Sequence, residues 1–369
     1  MIKVFSPKLS YRDKLSVFRA LTKNEISGTS NKVQEFEERL ASSFNRKYSV
    51  VCSNGSVALD IAFQLMNLKK DDEVILPSFT IISCLSAIVR TGATPVFCDV
   101  DSKTWNMQIQ DVKNVYTNNT KAVLMVHTYG LTADVKEIKK FCKEKKLKII
   151  EDTAEAHGQY FDNIQCGSIG DVSTLSFYAN KHVTTGEGGA ILTNNFEIYK
   201  KAKQMINLDF KNSKRFFHDN LYWNYRLGGL QSALGLSQLN NLNRVILSKI
   251  KQGKKYTYLF NKYNVDIDLP VTSTDHSFNH FWVYGIVLKD NVNRDDVAKK
   301  LSDAGIETRP FFYPLHLQPS AKIFKQKNKN LINSERLGTQ GLYLPLGKHV
   351  RPWQQKKIVL QVKKIIQGN

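Results

Sequence analysis

Seven short apolar runs recur through the first two hundred residues: Ser49–Cys52, Glu73–Leu76, Pro95–Val100, Ala122–His127, Leu147–Glu151, Val172–Phe177 and Ala190–Thr193. They are rich in Val, Ile, Leu and Phe, and several are apolar almost throughout rather than alternating. Strands buried on both faces of a mostly parallel sheet have this pattern. Between them, Val57–Leu68 and Val135–Glu144 repeat apolar residues at spacings of three and four, the period of a helix with one buried face. Alternating strands and helices predict an α/β fold, a sheet covered by helices. After about residue 205 the pattern changes. A long helical stretch begins near Leu227 and runs past Ile250. Two strand-like segments follow, Phe281–Leu288 and Thr308–Phe312, with a helix at Arg294–Ala304 between them and a last helix over Pro352–Ile366. This reads as a second, smaller α+β domain, so residues 1–245 are expected to form the large domain and 246–369 the small one. No internal repeat, low-complexity segment or long linker interrupts the chain.

A chain of 369 residues with 42% hydrophobic and 11% aromatic content has the make-up of a globular enzyme. No apolar run approaches bilayer length, and the opening MIKVFSPKLSYRDK lacks the apolar stretch of a signal peptide, so a cytoplasmic location is expected, with no membrane partner. Cys52, Cys84, Cys98, Cys142 and Cys166 are scattered and form no CxxC pair, which predicts reduced core residues and no metal site. The net charge of +20 comes largely from lysines such as Lys139, Lys140, Lys143, Lys145, Lys146 and Lys148 on what read as solvated helix faces. No nucleic-acid-binding motif accompanies them, so a solubilising surface is the simpler reading and no nucleic-acid partner is expected. A positive field also attracts a diphosphate.

Three segments carry chemistry. Ser53-Asn54-Gly55-Ser56 follows the first strand and opens a helix. Unpaired N–H groups there offer an anion site, although a capped helix start explains the same residues. Asp152 ends a strand, where α/β sheets place ligand-binding groups. Facing a protonated ring nitrogen, its carboxylate would keep that ring an electron sink; alone, it reads sooner as the cap of the next turn. Lys181 lies in the loop between Ser176 and Gly186-Glu187-Gly188-Gly189. A lysine amine can bond an aldehyde cofactor, and the glycines let the backbone pass close beside it.

These segments and their order resemble the sugar aminotransferases of the fold-type-I pyridoxal-phosphate superfamily, the DegT/DnrJ/EryC1/StrS family, and within it most of all the GDP-perosamine synthases. The likeness runs along nearly the whole chain. It is carried by Pro77-Ser78-Phe79-Thr80, Gly92-Ala93-Thr94-Pro95-Val96-Phe97, Val126-His127-Thr128-Tyr129-Gly130 and Glu151-Asp152-Thr153-Ala154-Glu155-Ala156-His157-Gly158. It continues through Ser176 to Gly189, Trp223-Asn224-Tyr225-Arg226 and Thr308-Arg309-Pro310-Phe311-Phe312-Tyr313-Pro314.

The resemblance implies a large domain with a seven-stranded, mostly parallel sheet between helices, plus a smaller C-terminal α+β domain. It implies pyridoxal 5'-phosphate as cofactor. Lys181 would bond the cofactor and then shuttle the proton, Asp152 would pair with the ring nitrogen, and Glu155 would lie near the phenolic oxygen. Gly55, Ser56 and Ser176 would hold the phosphate, joined by Asn224 from the neighbouring subunit of a homodimer with shared sites. Arg309, Phe311 and Tyr313 would lie near the nucleotide-sugar pocket. The implied reaction moves an amino group from L-glutamate to a nucleotide-linked 4-keto-6-deoxy sugar. Two positions depart from the family's pattern. Ile81 stands where an aromatic usually stacks on the ring, and Leu227-Gly228-Gly229 where Met-Thr-Asn is common, which leaves the particular sugar open. Three alternatives remain: a 3-aminotransferase, a dehydratase of the same family that uses a histidine in place of the lysine (His182 follows Lys181 directly), and a non-catalytic regulator that binds nucleic acid.

Overall fold

The computed structural model describes residues 1–7, 9–211, 214–324 and 330–368. Each of the seven apolar runs forms a strand: β1 (Tyr48–Cys52), β2 (Glu73–Pro77), β3 (Thr94–Cys98), β4 (Thr120–Val126), β5 (Lys148–Asp152), β6 (Val172–Ser176) and β7 (Gly189–Thr193). They make one sheet in the order β1-β7-β6-β5-β4-β2-β3. Only β7 runs antiparallel to its neighbours. The runs lack alternation because both faces are covered. Helices Gly55–Gln64 and Ile82–Arg90 pack on one face through Leu59, Phe63, Leu85 and Ile88. Helix Val135–Glu144 closes the other through Ile138, Phe141 and Cys142. All five cysteines are buried free thiols.

The stretch expected as one long helix after Leu227 is two, Gly229–Leu239 and Leu242–Lys262, broken at Asn240–Asn241. Asparagine side chains compete for backbone hydrogen bonds, which weakens a helix interior. The second helix runs through residue 245 and packs on a small antiparallel sheet of β8 (Tyr284–Val287), β9 (Arg309–Pro310) and β10 (Gly341–Leu344). Helices Arg294–Asp303 and Pro352–Gln367 complete this core, which also takes in the N-terminus: Ile2 pairs with Ile306. The central strand β10 has no counterpart in the sequence reading. No helix among the described residues is long and apolar enough to cross a membrane.

Candidate active site

The parallel strands end on one side of the sheet, and their last residues and following loops wall a cavity of about 390 Å³. The first wall is the start of helix Gly55–Gln64. Asn54 caps it by accepting from Val57 N–H at 2.9 Å. The N–H groups of Gly55 and Ser56 have no protein acceptor among the described residues. A Cβ on Gly55 would lie 2.8 Å from Ser176 Cβ, so glycine is what lets the helix start meet the end of β6. Ser56 Oγ and Ser83 Oγ lie 2.7 Å apart, and both residues face the cavity. Free N–H groups, hydroxyls and a helix N-terminus together suit a phosphate.

The floor holds Asp152, which is buried. Its Oδ1 accepts from Ala154 N–H at 3.0 Å, while among the described residues Oδ2 has only the Cys84 thiol at 3.5 Å. Burial pushes this carboxyl up from its usual range, against the Ala154 hydrogen bond and the charge of Lys181. A buried carboxylate without a bonded cation fits a protonated ring nitrogen. Glu155 is also buried. Its Oε2 accepts from Tyr129 N–H at 3.0 Å, and Oε1 lies 3.5 Å from Lys181 Nζ. Burial pushes Glu155 up to about 7 despite that lysine.

Lys181 enters from a loop folded tightly after β6. Phe177 N–H donates to Gly188 O and Lys181 N–H to Tyr178 O, and Gly186 takes a left-handed conformation (φ +84°) that glycine permits. The side chain is nearly buried and its Nζ lies 4.0 Å from the centre of the Trp282 ring. His182 does not face this cavity. It is buried, 6.4 Å from His157 between ring centres, and lines a neighbouring cavity of about 220 Å³ that Asn180 and Lys181 also line.

The structure thus brings together Gly55, Ser56, Ile81, Asp152, Glu155, Ser176, Lys181 and Arg309. Three residues lie elsewhere on this chain. Asn224 is exposed and pairs with Asn207 outside the cavity. Phe311 is buried against Phe79, Trp105 and Tyr129, and Tyr313 is half-exposed; neither lines the cavity, which Phe312 does instead. Lining residues missed in the sequence include Thr80, His127, Asn180, Trp282 and Tyr343. Tyr343 stands on the missed strand β10, opposite Arg309. Trp282 carries no local sequence signal; the fold alone delivers it.

A strand-end cavity with a buried carboxylate, a nearly buried lysine amine and an anion cradle has the features that a fold-type-I transaminase site requires. The chain belongs to the DegT/DnrJ/EryC1/StrS aminotransferase family, whose model matches residues 9–363. It is therefore a pyridoxal-phosphate-dependent transaminase. Among its relatives, the GDP-perosamine synthase of Escherichia coli O157:H7 is 35% identical over 93% of both chains. That of Vibrio cholerae is 32% identical over 94% of both. Among solved structures, an aminotransferase from Streptoalloteichus hindustanus superimposes with a TM-score of 0.92 at 25% identity, covering 100% of this chain and 99% of that one.

Proposed function

We propose that the protein transfers the amino group of L-glutamate to a nucleotide-linked 4-keto-6-deoxy sugar, releasing 2-oxoglutarate, in a homodimer located in the cytoplasm. The observation that carries this reading is the convergence of Lys181, Asp152 and the Gly55–Ser56–Ser176 cradle on one cavity edged by Arg309, Phe312 and Tyr343. Likeness to GDP-perosamine synthases supports the sugar class. Pyridoxal phosphate, when bound, supplies the electron sink that makes the donor's α-proton acidic. Gly55, Ser56 and Ser176 would hold its phosphate, and Ile81 would press on the ring. Asp152 would hold a proton on the ring nitrogen through Oδ2, whose contact with the Cys84 thiol is weak. Glu155 would sit beside the phenolic oxygen. Lys181 Nζ would bond the aldehyde carbon and, once released, carry the proton taken from the donor's α-carbon. Arg309, with Phe311 behind it and Tyr313 at the rim, would serve the nucleotide sugar, its planar guanidinium suiting a phosphate or carboxylate.

Purified protein should be yellow, and borohydride should fix the cofactor to the Lys181 peptide; the adduct persisting in Lys181→Ala would defeat the assignment. GDP-, UDP- and dTDP-linked 4-keto-6-deoxy sugars incubated with glutamate should give an amino sugar detectable by mass spectrometry. Transamination of free amino acids alone, with every nucleotide sugar ignored, would overturn the substrate class. Against the dehydratase reading, Lys181 rather than His182 lines the cavity that holds Asp152 and Ser176. The exposed Asn224 is assigned to the partner subunit's phosphate site. Lys181→Ala and Asn224→Ala chains mixed under subunit exchange should then recover activity that neither has alone. Exchange without recovery would refute shared sites.

A further inference from the structure

Trp282 is held from several directions. It is buried in the turn before β8. Its indole Nε1–H donates to the carbonyl of Asn180, the residue just before Lys181, at 3.1 Å. Its own carbonyl accepts from Lys249 Nζ at 2.7 Å, which ties it to helix Leu242–Lys262. Tyr129 packs on the indole, 5.8 Å between ring centres. The turn is pinned as well: His280 N–H donates to Gly130 O at 2.9 Å, and Phe281 N–H to Asn279 Oδ1 at 2.7 Å. Gly130 allows this approach, since a Cβ there would lie 2.6 Å from Trp282 N. Lys249 can donate to a carbonyl whether charged or neutral, so the clamp does not depend on its charge.

What this clamp presents is an indole face to the amine of Lys181, 4.0 Å from the ring centre, with Glu155 Oε1 at 3.5 Å from the same amine. An amine over an aromatic face is held by the ring's charge distribution, and the hydrogen bond to Glu155 that must be given up is long, 3.5 Å. A transaminase lysine is released from the cofactor in the course of each turnover and a long side chain has many rotamers, so a defined resting place spares an entropic search. We propose that Trp282, clamped by Asn180 O and Lys249, is a positioning residue that cradles the Lys181 amine whenever it is not bonded to the cofactor. This rests on the reading of Lys181 given above.

The test uses apoprotein and two probes. Pyridoxal phosphate reports covalent capture by Lys181, followed by absorbance and by the borohydride-fixed peptide. Pyridoxamine phosphate, which has no aldehyde, reports the cradle for ring and phosphate alone. Trp282→Leu should slow capture about tenfold, the scale of the rotamer freedom the lysine side chain regains, while pyridoxamine phosphate affinity stays within about twofold. Trp282→Phe keeps an aromatic face and should return the capture rate to within about threefold of wild type. Capture by Trp282→Leu at the wild-type rate would overturn the proposal. So would capture and pyridoxamine phosphate affinity falling together, which marks a merely structural residue. If Trp282→Leu does not fold, Lys249→Met decides: slowed capture with intact pyridoxamine phosphate affinity supports the clamp, and an unchanged rate overturns it. Wild-type protein that captured no aldehyde would overturn the lysine assignment itself, a separate result.

Discussion

Glu151 and Asp152 are neighbours at the end of β5, and strand alternation sends their side chains to opposite faces of the sheet. Both are buried, yet their surroundings are opposite. Glu151 Oε1 accepts from His127 Nε2 at 3.1 Å and from Gly167 N–H at 2.6 Å. Its Oε2 accepts from Ser173 Oγ at 2.6 Å and from the N–H groups of Ile169 and Gly170 at 2.9 and 3.1 Å, with the Arg46 guanidinium at 3.9 Å. Burial alone would raise this carboxyl, but His127, Ser173 and Gly167 outweigh it and hold it down to about 2. Asp152 is pushed up by burial and has one good donor, Ala154 N–H. A buried carboxylate with all its partners supplied ties the fold together. One left short of a cation is poised to receive it from a ligand.

The largest effect expected from this contrast is on stability. Glu151→Ala strips a buried network of its centre, leaves His127, Ser173 and three N–H groups without their acceptor, and removes the counter-charge of Arg46. It should cost about 3–5 kcal/mol in denaturant unfolding of the apoprotein. A loss under about 1 kcal/mol would erase the distinction between the two faces. The next effect is on the ligand-facing side. Glu155 ionises near 4.5 in the unfolded chain and near 7 in the native protein. Between those values the unfolded chain has released its proton and the native protein has not, so native stability falls as pH rises. The drop is about 3 kcal/mol in all and levels off above the upper value. Glu155→Gln lacks this titration. The apoprotein stability difference, wild type minus variant, should therefore decline across that window; a flat difference would show that Glu155 is not held protonated by its site.

The same contrast bears on what the sequence made legible. The seven strands were readable because burial on both faces leaves unbroken apolar runs, and the placement of Asp152 and Lys181 at the cavity because strand ends and glycine-rich loops are local features. Strand β10 was not, since Gly341–Leu344 is four residues in a stretch with no period. With it went Tyr343. Trp282 and Asn180 join the site through contacts between segments about a hundred residues apart, which no local pattern encodes. Adjacent Glu151 and Asp152 look alike as letters. Only the partners brought by the loop at 167–173 and by His127 tell them apart. In the same way Phe311 and Phe312 differ by one step of the chain, and the alternation after β9 decides which faces the cavity.

Asp152→Asn keeps the shape of the side chain and removes its charge. Turnover should fall at least about a hundredfold, roughly 2.7 kcal/mol in the barrier. Apoprotein stability should hold or rise, because a buried charge without a bonded cation costs free energy. Near-normal turnover would make Asp152 structural, like its neighbour.

The smallest effect sharpens the comparison most finely. Cys84 supplies the sole contact to Asp152 Oδ2 among the described residues, at 3.5 Å. Burial and then the charge of Asp152 push the thiol well above its usual range, so it stays protonated and can donate. A thiol is a weak donor, however, and at this distance it contributes little to holding a carboxylate. If Oδ2 is reserved for a charged N–H on the ligand, Cys84→Ala should reduce turnover by no more than about threefold, some 0.7 kcal/mol. The variant should also leave the absorbance of the bound cofactor unchanged, because the ring nitrogen keeps its partner. Suppose instead that Cys84→Ala matched Asp152→Asn in its loss of turnover. The thiol would then be the partner that keeps the aspartate in working order. Asp152, like Glu151, would be a carboxylate whose needs are met from within the protein, and the contrast between the two faces of β5 would fail.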